Sequence, residues 1–103
     1  MKRIKGTFNR LLIKKGWQSF EPVEGYVTRD FGLFKNEYGR YEVTVLASGY
    51  RVNILEKSTL TDTLANVERV EALLDFNHPS LEAMVKATGK PASEIANICR
   101  GFG

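Results

Sequence analysis

One cysteine stands among the 103 residues, so no internal disulfide can form, and a single histidine cannot anchor a zinc site by itself. No apolar run approaches the roughly 18–20 residues that span a bilayer. There is no glycine-rich phosphate loop, no nucleophile elbow and no metal-ligand spacing. These absences argue against a disulfide scaffold, a metalloenzyme and a membrane protein. The expectation is a protein with no cofactor, no metal and no catalytic residues. The opening Met-Lys-Arg-Ile-Lys-Gly lacks the apolar core and small-residue cleavage site of a secretory signal. With a free cysteine, a reducing cytoplasm is the expected compartment.

What is present is ordinary in amount and uneven in placement. Apolar residues make up 43% and charged residues 26%, which suits one compact unit and argues against disorder. A chain this long buries roughly 60–70% of its unfolded surface, enough for a modest core. The formal net charge of +3 hides an asymmetry: Lys2, Arg3, Lys5, Arg10, Lys14 and Lys15 share the first 15 residues with no acid, whereas the rest holds 9 basic and 12 acidic side chains. A block of one sign repels itself unless a partner screens it, and a polyanion is the commonest such partner.

Periodicity divides the chain. Phe8, Leu11 and Leu12 fall at helical spacing, with Thr7 as cap and Gly16 as stop, which predicts a basic helix over 7–15. From Tyr26 to Lys57 the pattern is that of strands broken by glycines. Arg40–Ala47 and Tyr50–Lys57 form the clearest pair, joined by Ser48-Gly49, so facing residue numbers sum to 97 and Val45 meets Val52. Gly25–Lys35 adds a strand bent at Asp30-Phe31-Gly32. Beyond Leu60 the period is helical: one helix capped by Thr61 or Asp62, a second over Ser80–Thr88 stopped by Gly89, and a third opened by Pro91 with Ile95, Ile98 and Phe102 as its stripe. The expected fold is therefore α+β: an N-terminal basic helix, a three-stranded antiparallel meander, then three C-terminal helices. Residues 1–60 and 61–103 are expected to form parts of one unit.

Three short helices in residues 67–101, with Leu81, Met84 and Val85 inside the first motif helix, Gly89 in the turn, and Ile95 and Ile98 packing the second, carry a motif. It resembles the helix-turn-helix of small bacterial and phage transcription regulators and winged-helix domains. The resemblance implies a recognition helix over 91–100 with Ser93, Glu94, Asn97 and Arg100 outward. Arg100 and Asn97 suit bidentate base contacts, and Lys90 suits a phosphate. It further implies duplex DNA as partner and a homodimer on two half-sites.

Other groups carry weaker signals. Six aromatics between Tyr26 and Tyr50 interleave with Arg29, Lys35, Arg40 and Arg51, a composition suited to stacking on single-stranded nucleic acid. Gly25-Tyr26-Val27 with Asp30-Phe31-Gly32-Leu33-Phe34 resembles the opening of OB-fold RNA-binding domains. Glu68, Glu71 and Asp75 share a helical spacing and suit a solvated face. His78 suits a turn, and Cys99 suits a small buried hydrophobe.

Two functions remain open at this stage. The first is nucleic-acid binding by the helix-turn-helix, with the six N-terminal cations on phosphates. The second is a small phage-type inhibitor or adaptor that docks a host protein or defence complex through its sheet, an open strand edge or its basic surface, with Tyr38, Tyr41 and Arg51 as contact residues.

Overall fold

The structure, a computed structural model, describes residues 4–14 and 16–101. Lys2, Arg3, Lys15 and Phe102 of the sequence reading lie outside these residues. Four antiparallel strands, β1 (Ile4–Lys14), β2 (Trp17–Val27), β3 (Phe31–Lys35) and β4 (Tyr41–Val45), form one sheet in chain order. Three helices follow: α1 (Leu60–Glu71), α2 (Leu81–Thr88) and α3 (Ala92–Arg100).

The N-terminal basic helix and the three-stranded meander are thus corrected to a meander of four strands. Residues 4–14 lie extended against 17–27 in an unbroken register, from Ile4 opposite Val27 to Lys14 opposite Trp17. Gly16, with φ +81°, sits in the two-residue connection. A glycine of positive φ closes a helix and turns a hairpin equally well, so the stop signal in the sequence is ambiguous. The β-branched Ile4, Thr7 and Ile13 favour the strand. So does a partner segment of equal length, which a helix would leave unpaired.

The remaining strand boundaries differ from expectation for similar reasons. The bend expected at Asp30-Phe31-Gly32 is a full reversal: Thr28 N–H donates to the Phe31 carbonyl at 2.8 Å, and Phe31 N–H donates to Thr28 Oγ1 at 3.2 Å. The chain turns again at Asn36–Arg40, where Asn36 Oδ1 accepts from the amides of Tyr38 and Arg40. After β4, Val45 N–H donates to Tyr50 O and Val52 N–H to Val43 O, a register two residues away from the expected sum of 97. A slip of two keeps Val43, Val45 and Val52 on one face, as expected, up to residue 52. The returning segment pairs only through Thr44–Arg51, because Asn53–Leu55 coils into a 3-10 turn that buries Leu55.

Thr59 caps α1 and Ser80 caps α2, each hydroxyl accepting an amide at 3.1 Å; the α1 cap lies two residues before Thr61. Pro91 precedes α3, and Arg69 donates to the carbonyls of Ile98 and Cys99 at 2.6 and 2.7 Å, placing a cation at the negative end of that helix. The main core lies between the helices and one face of β3–β4, where Phe31, Leu33, Val43, Leu55, Val67 and Val70 are fully buried. Phe31 and Phe76 meet there, ring centroids 5.0 Å apart.

The β1–β2 ribbon covers the opposite face of β3–β4. A Cβ on Gly32 would lie 2.6 Å from Phe8 Cδ2, so the Phe8 ring rests directly on the β3 backbone, and only glycine leaves room for it. Arg10 reaches from β1 to Glu42 on β4 and lies 4.8 Å over the ring of Phe34 on β3. Near its tip, Leu11 N–H donates to the carbonyl of Gly49 at 2.9 Å.

Candidate nucleic-acid interface

Ile4–Lys14 of the basic segment is one strand of a ribbon, and its cations are not equivalent. Arg10 Nε donates to Glu21 Oε2 at 2.9 Å and Nη1 to Glu42 Oε1 at 3.0 Å, while Glu42 is buried and also accepts from Asn36 Nδ2. Arg10 is therefore a fastener between ribbon and sheet, with its charge already neutralised by two carboxylates. Lys5 is exposed on β1. Lys14 pairs across the ribbon with Trp17 at the turn, next to Lys15 in the sequence. Residues 1–27 hold six basic and two acidic side chains, whereas residues 28–103 hold nine and ten. The excess of positive charge thus falls within residues 1–27 of the sequence.

Trp17 and Phe20, near that turn, are 78% and 60% exposed. Neither was singled out from the sequence. The available signal was Lys-Lys-Gly-Trp, a basic pair beside a glycine turn and an aromatic residue. It was obscured because the stretch also fitted the end of a helix.

On α3, Ser93, Glu94, Asn97 and Arg100 are all exposed, as the helix-turn-helix resemblance implies for an outward face. Lys90 is paired with Glu94 at 3.4 Å, and Arg100 Nη1 lies 3.5 Å from Asn97 Oδ1. α3 packs on the side of the sheet away from the ribbon, so the basic strand and the α3 face look out from opposite sides of β3–β4.

The remaining residues of the sequence reading are dispersed. Tyr38 is exposed in the β3–β4 turn, Tyr41 is half-buried against the core, and Arg51 is held by Glu56 through two hydrogen bonds of 2.7 Å. Those bonds raise the Arg51 pKa above its ordinary value, outweighing its partial desolvation. Of the six aromatics between Tyr26 and Tyr50, Phe31 is in the core, Phe34 lies beneath Arg10, and Tyr26 and Tyr41 pack against the core. They form no shared stacking surface. Glu71 is not on a solvated face: it is buried and accepts from Asp30 N–H at 2.7 Å and Thr28 Oγ1 at 2.9 Å, fixing the β2–β3 turn to α1. Glu68 and Asp75 are exposed. The hydrogen bond to Asp30 raises the Arg29 pKa, and Asp30 also accepts from Phe76 N–H.

A groove of about 480 Å³ opens between the Tyr50–Ile54 segment, α2 and α3, with Val52, Ile54, Leu81, Met84 and Ile95 among its mostly apolar walls. The half-buried His78 borders it, and Cys99 forms part of its wall. Burial raises the Cys99 thiol pKa against the opposing pull of Arg69 and Arg100. Among the described residues, no group of three or more His, Cys, Asp or Glu is placed to hold a metal ion. None of their helices is long and apolar enough to cross a membrane.

The chain matches no protein-family model, no curated protein and no solved structure.

Proposed function

We propose that this is a non-catalytic nucleic-acid-binding protein of the cytoplasm whose contact element is the β1–β2 ribbon. One observation carries the reading: Ile4–Lys14, which lies within an acid-free stretch of six cations, is a strand of a ribbon that exposes Trp17 beside its turn. A two-stranded ribbon fits the major groove of duplex DNA. Lys5, Lys14 and Lys15, with Lys2 and Arg3, supply phosphate contacts, and Trp17 supplies an apolar contact at the base edges. Ser93, Asn97 and Arg100 on α3 face the other way and carry one free cation among them, so they are secondary in this reading.

Trp17 is the only tryptophan, so its fluorescence reports contact at the turn. Titration with random duplex DNA at about 50 and 200 mM salt should quench it and show roughly a hundredfold loss of affinity at the higher salt. Replacing Lys14 and Lys15 together by alanine should reduce affinity about tenfold or more and flatten the salt dependence. The Trp17→Ala variant, followed by anisotropy of labelled DNA, should bind about fivefold or more weakly and keep its stability within about 0.5 kcal/mol. Asn97→Ala with Arg100→Ala should change affinity less than about twofold, well below the roughly 1–3 kcal/mol lost with a bidentate base contact. Tighter binding to single strands would move the contact from groove entry to stacking. No quenching at low salt would refute the proposal.

A second reading, a protein-docking inhibitor, is favoured by the apolar groove, whose margin includes the exposed Leu81, Ile54 and Tyr50. Exposed apolar patches of this kind mark interaction surfaces. Leu81→Lys would abolish such docking and leave DNA binding intact.

A further inference from the structure

The two outer edges of the sheet are treated differently. Along β4, Val45 N–H donates to Tyr50 O, Val43 N–H to the Glu56 carboxylate at 3.1 Å, and Tyr41 N–H to Lys57 O at 3.2 Å, while Val43 O accepts from Val52. A loop and a buried carboxylate thus satisfy that edge donor by donor. β1 is the other terminal strand, eleven residues long, with no bulge in its register and no proline. Leu11 N–H points outward to Gly49 O, so in a regular strand the amides and carbonyls of Lys5, Thr7 and Asn9 point outward as well. Among the described residues, Leu11 is the only member of this outward row whose amide meets another backbone group. Lys5, Thr7 and Asn9 are exposed.

An open row of donors and acceptors is a template for a further strand. Its charge selects the occupant. A second copy would bring the exposed Lys5 and its acid-free strand against their own like, and lysine on an edge opposes such self-pairing. We propose that the β1 edge, from Lys5 to Asn9, accepts an extended acidic segment of another protein by strand addition. Residues facing Lys5 and Asn9 would be Glu or Asp. The residue facing Gly6 would be apolar, since Gly6 carries no side chain and its neighbour Ile4 is 55% exposed. The recognised pattern is thus acidic–apolar alternation. This inference does not depend on the nucleic-acid reading, although an acidic strand on β1 would lower the charge available to phosphates.

The test uses the full chain and a blocked peptide of about seven residues alternating Glu and Val, a typical strand length. One control replaces each Glu by Lys. A second keeps the sequence and N-methylates the amides of one edge, which removes backbone donors and leaves the charge unchanged. Binding by calorimetry should be about tenfold or more weaker for both controls. In NMR spectra the acidic peptide should slow hydrogen exchange at Lys5, Thr7 and Asn9 while leaving Tyr41, Val43 and Val45 unchanged. Equal affinity of the N-methylated peptide would reduce the contact to charge alone and overturn strand addition. Failure of the acidic peptide to bind at about 1 mM, or binding without protection of the three amides, would overturn it equally.

Discussion

The three helices and the β1–β2 ribbon flank opposite faces of the same two strands, and they are attached by different physics. On the helix side, Phe31, Leu33, Val43 and Val45 meet apolar residues from all three helices, and fourteen buried side chains form one cluster. On the ribbon side, among the described residues, Phe8 and Val23 are the buried apolar groups. Beside the Phe8 ring on Gly32, that contact is held by polar links: Arg10 between Glu21 and Glu42, and one amide bonded to a loop carbonyl. Apolar burial supplies stability in proportion to area and is tolerant of detail. Ion pairs with hydrogen bonds contribute little net stability and are demanding in geometry. The helix side holds the molecule together, and the ribbon side sets where an arm with exposed Trp17 and Phe20 is placed.

The comparison can be broken by substitutions on each side. Leu33→Ala empties a fully buried site on the helix face and should cost about 2–5 kcal/mol by urea unfolding, with strands and helices lost together. A loss below about 1 kcal/mol would show that the helix side is not the principal source of stability. Gly32→Ala acts on the ribbon side, where the new methyl would displace Phe8 at a cost of about 1–3 kcal/mol. Its hydrogen exchange should rise along β1 and β2 and stay low in α1 and α3. A uniform rise would instead make ribbon and helices one cooperative unit.

The smallest effect concerns Cys99. Its pKa lies above the ordinary 9.0 because burial disfavours the thiolate. The folded state therefore holds this proton more tightly than the unfolded state does. The resulting stability is complete below pH about 9 and is lost as pH rises through the folded value. The urea midpoint of the native protein should fall more between pH 8 and about 10.5 than that of Cys99→Ala. Alkylation at pH 8 should be at least about tenfold slower folded than unfolded.

Legibility in the sequence followed the range of the signals. The three helices carry local capping residues, Ser80 and Gly89 being the clearest, together with apolar stripes that repeat every three to four residues. Of the residues in those stripes, Met84, Ile95 and Ile98 are buried, whereas Leu81 is exposed. The strand segment from 40 to 52 kept its faces through a register slip of two. Residues 7–15 failed because Phe8, Leu11 and Leu12 suit a helix, and the partner that makes them a strand, 17–27, is recognised only by pairing. Of the candidate site, the charge block and the outward side chains of α3 were legible. The inward role of Arg10 was not, because Glu42 is 32 residues away. Glu71 was misplaced for the same reason: its acceptor role depends on Asp30, 41 residues away.

The sequence by itself determined the three helices, the reversal of period near residue 60, the two inner-facing valines of β4, and the concentration of positive charge in the first fifteen residues. These are set by nearest neighbours along the chain. Only the tertiary structure decided that the basic segment is a strand, that Arg10 is a fastener, and that ribbon and α3 face opposite ways. It also left the edge of β1 open while closing that of β4. Each of these depends on which backbone amide or carboxylate arrives from a distant part of the chain, and hydrogen bonds and ion pairs are made between groups whose sequence separation local propensity does not encode.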